Sequence, residues 1–216
     1  MKKEELYHYV DHTALKAFTT WEEITKLCEE AIAYSMASVC IPSCYIKRVH
    51  EKYGDALNIC TVVGFPLGNC NTKAKVEETR QALLDGASEI DMVINIGDVK
   101  NKDYDKVEKE IALLKETVGD KILKVIIETC YLTEEEKIAM CHAVTNAKAD
   151  FIKTSTGFGT GGATFDDIEL FAKNIGKDVK IKAAGGVRSK EDMEKYIALG
   201  CSRIGTSSAI SMLEGK

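Results

Sequence analysis

Leu123-Lys-Val-Ile-Ile-Glu-Thr-Cys-Tyr-Leu-Thr-Glu-Glu-Glu-Lys-Ile-Ala-Met-Cys-His-Ala-Val-Thr-Asn-Ala-Lys-Ala-Asp-Phe-Ile-Lys153 reads as strand, helix, strand. Leu123–Ile127 is a short, Val/Ile-rich run, nearly all apolar, as in a parallel strand covered on both faces. Thr133 followed by Glu136 is a capping box, in which each side chain satisfies an otherwise orphan backbone N–H at the start of a helix. That helix is expected over roughly 133–147, after which Phe151–Lys153 restarts the strand pattern.

The same unit recurs in both directions. Further strands are expected at Tyr9–His12, Ala37–Ile41, Asn58–Val63, Glu89–Val93, Lys180–Ala183 and Arg203–Gly205. Helices are expected at roughly 20–35, 43–53, 72–86, 103–118, 164–174, 189–199 and 206–213. In the first, Ile24, Leu27, Cys28, Ala31 and Ile32 share one helical face, and Thr20 with Glu23 repeats the capping box. Thr164 with Asp167 and Ser189 with Asp192 are carboxylate versions of it. Eight strand–helix units of about 25 residues each suit a (β/α)8 TIM barrel, one domain over residues 1–216. A doubly wound open sheet is the structural alternative, but its G-x-G-x-x-G fingerprint after the first strand is absent.

Composition narrows the function. Hydrophobic residues make up 45% and charged residues 29%, an ordinary globular balance. The net charge of −5 gives no nucleic-acid footprint. No apolar run reaches membrane-spanning length and the Met-Lys-Lys-Glu-Glu start lacks a signal-peptide apolar region, so a cytoplasmic protein is expected. The eight cysteines form no Cys-x-x-Cys pair and the four histidines are scattered, which favours free thiols and metal-free chemistry. Cys40 reads as a packed thiol whose strand-end position opens it to slow modification by a reactive aldehyde.

In a TIM barrel the active site forms at the C-terminal strand ends. Those ends carry Asp11 and His12, Cys40, Asp91, Asn95, Glu128, Lys153 and Lys182. Alternation along the strands puts Lys124, Ile126 and Glu128 on one face, and Lys180 with Lys182 on another. Lys153 ends an apolar strand and opens Thr154-Ser-Thr-Gly-Phe-Gly-Thr-Gly-Gly162. An ammonium there is costly to bury without partners, but charges of mixed sign neutralise one another. Lys182 on the next strand disfavours protonation of its neighbour, which would leave Lys153 partly neutral as a nucleophilic amine. Asp91 is placed to move protons with Lys182. Gly185-Gly-Val-Arg188 and Gly205-Thr-Ser-Ser208 follow the last two strands, where this architecture grips phosphate with backbone N–H groups. Thr154 and Gly157 are candidate substrate contacts, and Asp11 and Thr13 a candidate water or proton relay.

Asp11-His-Thr-Ala-Leu-Lys16, Val39-Cys-Ile-Pro42, Val63-Gly-Phe-Pro-Leu-Gly68, Glu89-Ile-Asp-Met-Val93, Lys124-Val-Ile-Ile-Glu-Thr129, Phe151-Ile-Lys-Thr-Ser-Thr-Gly157 and Lys182-Ala-Ala-Gly-Gly-Val-Arg188 closely resemble the deoxyribose-phosphate aldolase family. The resemblance spans essentially the whole chain. It implies a class I aldolase without metal or cofactor that reversibly cleaves 2-deoxy-D-ribose 5-phosphate to acetaldehyde and D-glyceraldehyde 3-phosphate in deoxyribonucleoside catabolism. It further implies that Lys153 forms the Schiff base and that Asp91 and Lys182 exchange protons. Gly185, Gly186, Arg188, Gly205, Ser207 and Ser208 would line the phosphate side, and the assembly would be a homodimer or homotetramer. Ala183 departs from the proline or serine of many relatives, and the chain ends sooner after its last helix than some. The alternatives are another class I phospho-aldolase, a phosphosugar isomerase or epimerase working through Asp91 and Glu128, and a non-enzymatic phosphosugar-binding protein.

Overall fold

The computed structural model of the protein describes residues 1–215. Eight parallel strands close into a barrel in sequence order: β1 (Val10–Thr13), β2 (Ser38–Ile41), β3 (Ile59–Val63), β4 (Glu89–Val93), β5 (Ile122–Ile126), β6 (Phe151–Lys153), β7 (Lys180–Ala184) and β8 (Cys201–Thr206). Closure comes from β8 pairing with β1, Gly205 opposite Asp11. The fold is the expected TIM barrel. Among the described residues no helix is long and apolar enough to cross a membrane.

The helices, in order, are α1 (Lys3–Tyr7), α2 (Trp21–Ala33), α3 (Ile46–Tyr53), α4 (Thr72–Leu84), α5 (Ile96–Lys100), α6 (Tyr104–Val118), α7 (Glu134–Asn146), α8 (Phe165–Asn174), α9 (Lys190–Ala198) and α10 (Ala209–Glu214). Both capping boxes form: Thr20 Oγ1 accepts from the Glu23 N–H at 3.3 Å while Glu23 accepts from the Thr20 N–H at 2.6 Å, and Thr133 with Glu136 does the same. Thr164 and Ser189 cap α8 and α9 through the Asp167 and Asp192 N–H groups. Three expectations shift. Residues 43–45 are a 3-10 turn before α3, the last strand is longer than the expected 203–205, and α10 starts at 209 rather than 206. The five-residue helices α1 and α5 are too short to leave a periodic signal.

Alternation within the strands divides the interior in two. Val39, Ile41, Ile59, Ile90, Met92, Leu123, Val125, Ile152 and Ile181 face outward into one apolar layer shared with the helices. Residues of opposite parity face the barrel axis, and among them Asp11, Glu89, Asp91, Lys124 and Lys182 are at most 2% exposed. A charged barrel interior inside an apolar ring positions everything that follows.

Candidate active site

The charges on the axis form one connected network. Lys153 Nζ lies 2.7 Å from Asp91 Oδ2, and Lys182 Nζ lies 2.8 Å from the same oxygen. Asp91 Oδ1 takes the Lys124 ammonium at 2.9 Å and the Cys60 thiol at 3.1 Å. Lys124 also reaches Glu89 at 2.5 Å, and Lys182 reaches Asp11 at 2.5 Å. Arg203 closes the ring, with Nε 3.1 Å from Asp11 and a terminal nitrogen 3.2 Å from Glu89. Ser38 donates to Asp11 at 2.8 Å. Three carboxylates (Asp11, Glu89, Asp91) thus face four cations (Lys124, Lys153, Lys182, Arg203), an excess of one positive charge.

Electrostatics assigns the protons. Burial alone would push the Asp91 carboxyl up, but Lys124, Lys153 and Lys182 outweigh it and hold it well below the ordinary carboxylate range. Asp11 is likewise pushed up by burial and pulled down further by Lys182 and Lys124, to about 2. Lys182 and Lys124 feel burial in the opposite sense, yet their carboxylate partners raise both above the usual lysine value. Asp91 is therefore an ionised acceptor and Lys182 a retained ammonium, which shares Asp91 Oδ2 with Lys153.

Above Lys153 opens a cavity of about 720 Å³ at the C-terminal mouth, within the usual range for a small-molecule site. Lys153, Thr13, Gly157, Gly185, Gly186, Arg188, Gly205, Ser207 and Ser208 line it. Gly185 and Gly186 take φ of +75° and +77°, a left-handed turn that side chains resist. Among the described residues, nothing accepts from the N–H groups of Gly186 and Val187 in that turn. At Gly205 the space is tight, because a Cβ there would sit 3.0 Å from Ala184 Cβ and 3.2 Å from Lys182 Cε.

Other expected residues lie elsewhere. Asp91, Lys182 and Asp11 are fully buried beneath Lys153 and line no part of the cavity. Thr154 faces away from it: its hydroxyl donates to the Ala184 carbonyl and accepts from the Ala184 N–H, both at 3.1 Å, pinning β6 to β7. Thr13 lines the cavity, but its hydroxyl donates to the Asp11 carbonyl at 2.8 Å. Lys180 is exposed at the start of β7 and does not join Lys182 inside. Glu128 follows the end of β5 with φ +52°, which breaks the alternation expected from Lys124. Its carboxylate accepts from the N–H and hydroxyl of Thr156 and so holds the loop after Lys153.

Of the two residues that complete the network, Arg203 carries no sequence signal of its own, whereas strand alternation puts Glu89 on the face of Asp91. The first β–α loop also lines the cavity, through Lys16 at the end of the Asp11–Lys16 motif and through Thr19, which no motif marked. Cys40, Cys60 and Asp91 offer three donor atoms within 4.8 Å of one another, as a metal site would. The Lys124 ammonium, 3.3 Å from Cys60 Sγ and 2.9 Å from Asp91, already fills the cationic position there.

Residues 6–211 match the model of the DeoC/LacD family aldolases. A deoxyribose-phosphate aldolase of Clostridium botulinum (strain Alaska E43 / Type E3) is 66% identical over 216 residues, covering 100% of this chain and 98% of that one. A deoxyribose-phosphate aldolase of Clostridioides difficile (strain 630) is 58% identical over 207 residues, 96% of this chain and 94% of that one. The tetrameric deoxyribose phosphate aldolase structure from Aeropyrum pernix superposes with a TM-score of 0.90 at 28% identity, covering 99% of this chain and 92% of that one.

Proposed function

The chain belongs to the DeoC/LacD family of aldolases, and from that premise we propose that it reversibly cleaves 2-deoxy-D-ribose 5-phosphate to D-glyceraldehyde 3-phosphate and acetaldehyde through a Schiff base on Lys153. One observation carries this reading: Lys153 meets the cavity while its ammonium shares Asp91 Oδ2 with Lys182. Loss of one proton from Lys153 brings the buried network from an excess of one positive charge to neutrality, and Asp91 keeps Lys124 and Lys182 as partners.

The unprotonated amine attacks C1 of the open-chain aldehyde, water leaves, and a protonated imine forms. The imine is the electron sink. As the C3 hydroxyl gives up its proton through water to the ionised Asp91 beneath, the C2–C3 bond breaks, glyceraldehyde 3-phosphate departs and an enamine remains. Lys182, held protonated, supplies through Asp91 the proton that returns to C2. Hydrolysis of the resulting imine frees acetaldehyde and Lys153.

The phosphate is assigned to the far wall, where the turn at Gly185 and Gly186, the Ser207 and Ser208 segment and Arg188 surround the cavity. An epimerase using Asp91 and Glu128 as opposed bases fits less well, since Glu128 is engaged with Thr156. The protein would act in the cytoplasm as a homodimer or homotetramer, and the tetrameric assembly of the Aeropyrum protein supports its being an oligomer.

Incubation with 2-deoxy-D-ribose 5-phosphate should release equimolar acetaldehyde and glyceraldehyde 3-phosphate. No cleavage of that sugar, with cleavage of another phosphorylated aldol, would move the assignment to a different aldolase of the family.

A further inference from the structure

Two thiols inside the barrel are not used by the chemistry above. Cys40 on β2 and Cys60 on β3 are direct register partners on hydrogen-bonded parallel strands. Adjacent strands run about 4.8 Å apart, within the Cα separation of about 4.4–6.8 Å that a disulfide spans. Both side chains face the axis and pack together, with Leu15 and Phe65 over them. Their sulfurs lie within 4.8 Å of each other and of an Asp91 oxygen. Cys60 is also tied to the site, donating to Asp91 Oδ1 at 3.1 Å and receiving the Lys124 ammonium at 3.3 Å.

We propose that Cys40 and Cys60 are a redox modification site: a hydroperoxide converts the pair to a disulfide, Asp91 loses its thiol donor, and the aldolase reaction slows. The effect on turnover rests on the function proposed above; formation of the disulfide does not.

The Cys40 thiolate attacks one oxygen of the peroxide, the O–O bond breaks, and the departing oxygen takes a proton to leave as water. Cys60 then attacks the resulting sulfenic sulfur, its own proton leaving with the hydroxyl as a second water. Two thiols and one hydrogen peroxide give one disulfide and two waters, the sulfurs losing the two electrons that reduce the peroxide. The roles follow from the surroundings. The Cys60 side chain beside it lowers the Cys40 thiol, and Lys182 and Lys153 add to this against burial and the Asp91 charge. Burial pushes the Cys60 thiol well up. Cys40 is the attacking sulfur and Cys60 the resolving one. Leu15 both covers the pair and lines the substrate cavity, so a peroxide of near-water size approaches from the substrate side.

The test is to expose the purified protein to hydrogen peroxide without substrate, alkylate it under denaturing, non-reducing conditions, and map its peptides by mass spectrometry. Cleavage of 2-deoxy-D-ribose 5-phosphate is followed in parallel. The expected result is a peptide pair joined through Cys40 and Cys60, a fall in cleavage of about tenfold or more, and recovery with dithiothreitol. Cys60→Ser should give no joined pair and, once Cys40 passes to the sulfinic acid, no recovery. Full alkylation of Cys40 and Cys60 while the exposed Cys44 and Cys70 oxidise would overturn the proposal; so would a joined pair with undiminished cleavage. Failure of the aldolase reading looks different: untreated protein would cleave no deoxyribose 5-phosphate, yet the joined pair would still form.

Discussion

Strand β4 carries two different regions of the molecule within five residues. Glu89 and Asp91 face the axis and bind Lys124, Lys153, Lys182 and Arg203, whereas Ile90 and Met92 between them lie in the apolar layer under the helices. All four side chains are essentially inaccessible to solvent. Burial therefore does not distinguish them; the partners do. On the outer face, burial is favourable in itself and loosely specific, since any apolar group of the right volume serves. On the inner face, each charge is tolerable only while its partners stay in place. Stability resides mainly in one layer and chemistry in the other, joined by the two-residue period of a strand.

Substitutions separate the layers, and the largest effect is expected inside. Lys153→Ala should lower cleavage by roughly 10⁴-fold or more, measured as acetaldehyde release, with folding retained by circular dichroism because Lys153 has one carboxylate partner and that partner keeps two other lysines. Lys182→Leu should lower kcat by about 10²–10⁴-fold and also destabilise, since Asp11 and Asp91 each lose a buried partner. The outer layer should respond the other way. Ile90→Ala should cost about 2–5 kcal/mol in denaturant unfolding, with kcat per folded molecule changing little. A large kcat loss in that variant would show the two layers to be energetically coupled.

A smaller effect is expected at the cavity wall. Arg188→Ala should raise KM for the phosphorylated sugar by about tenfold, as for a lost charge-assisted contact, and leave an unphosphorylated aldol almost unaffected. The smallest is a pH effect. The Asp11 carboxyl is held down to about 2 in the fold against its ordinary 3.8, so between these values the unfolded chain binds more protons than the folded one. Stability should thus be fully present above about pH 4 and fall as the pH drops towards 2. Asp11→Asn should flatten that slope in urea titrations, whereas Ile90→Ala should shift the whole curve down with its slope unchanged.

Much of this was legible in the sequence because the barrel is built by repetition. Capping boxes at Thr20 and Thr133 and Val/Ile runs marked the units, and a lysine ending an apolar strand stood out at Lys153. Asp91, Lys153 and Lys182 could be grouped because order around the barrel follows order in the chain. What the sequence hid depended on closure and on strand ends. Arg203 meets Asp11 across 192 positions only because β8 returns to β1. Thr154 falls on the parity that faces Ala184, and a stretch labelled only by composition could not say so. Glu128 lay beyond the last residue of β5, where a left-handed backbone ends the alternation that had placed it beside Lys124.

The central claim is that Lys153, poised over Asp91 and Lys182, is the amine that forms the imine. Mass spectrometry after borohydride reduction in the presence of 2-deoxy-D-ribose 5-phosphate or acetaldehyde tests it most directly. The account predicts a single reduced adduct on the peptide carrying Lys153, absent from Lys153→Ala and depleted in Lys182→Leu. An adduct on Lys182 or Lys124 instead, or rapid turnover with no trapped adduct at all, would contradict it.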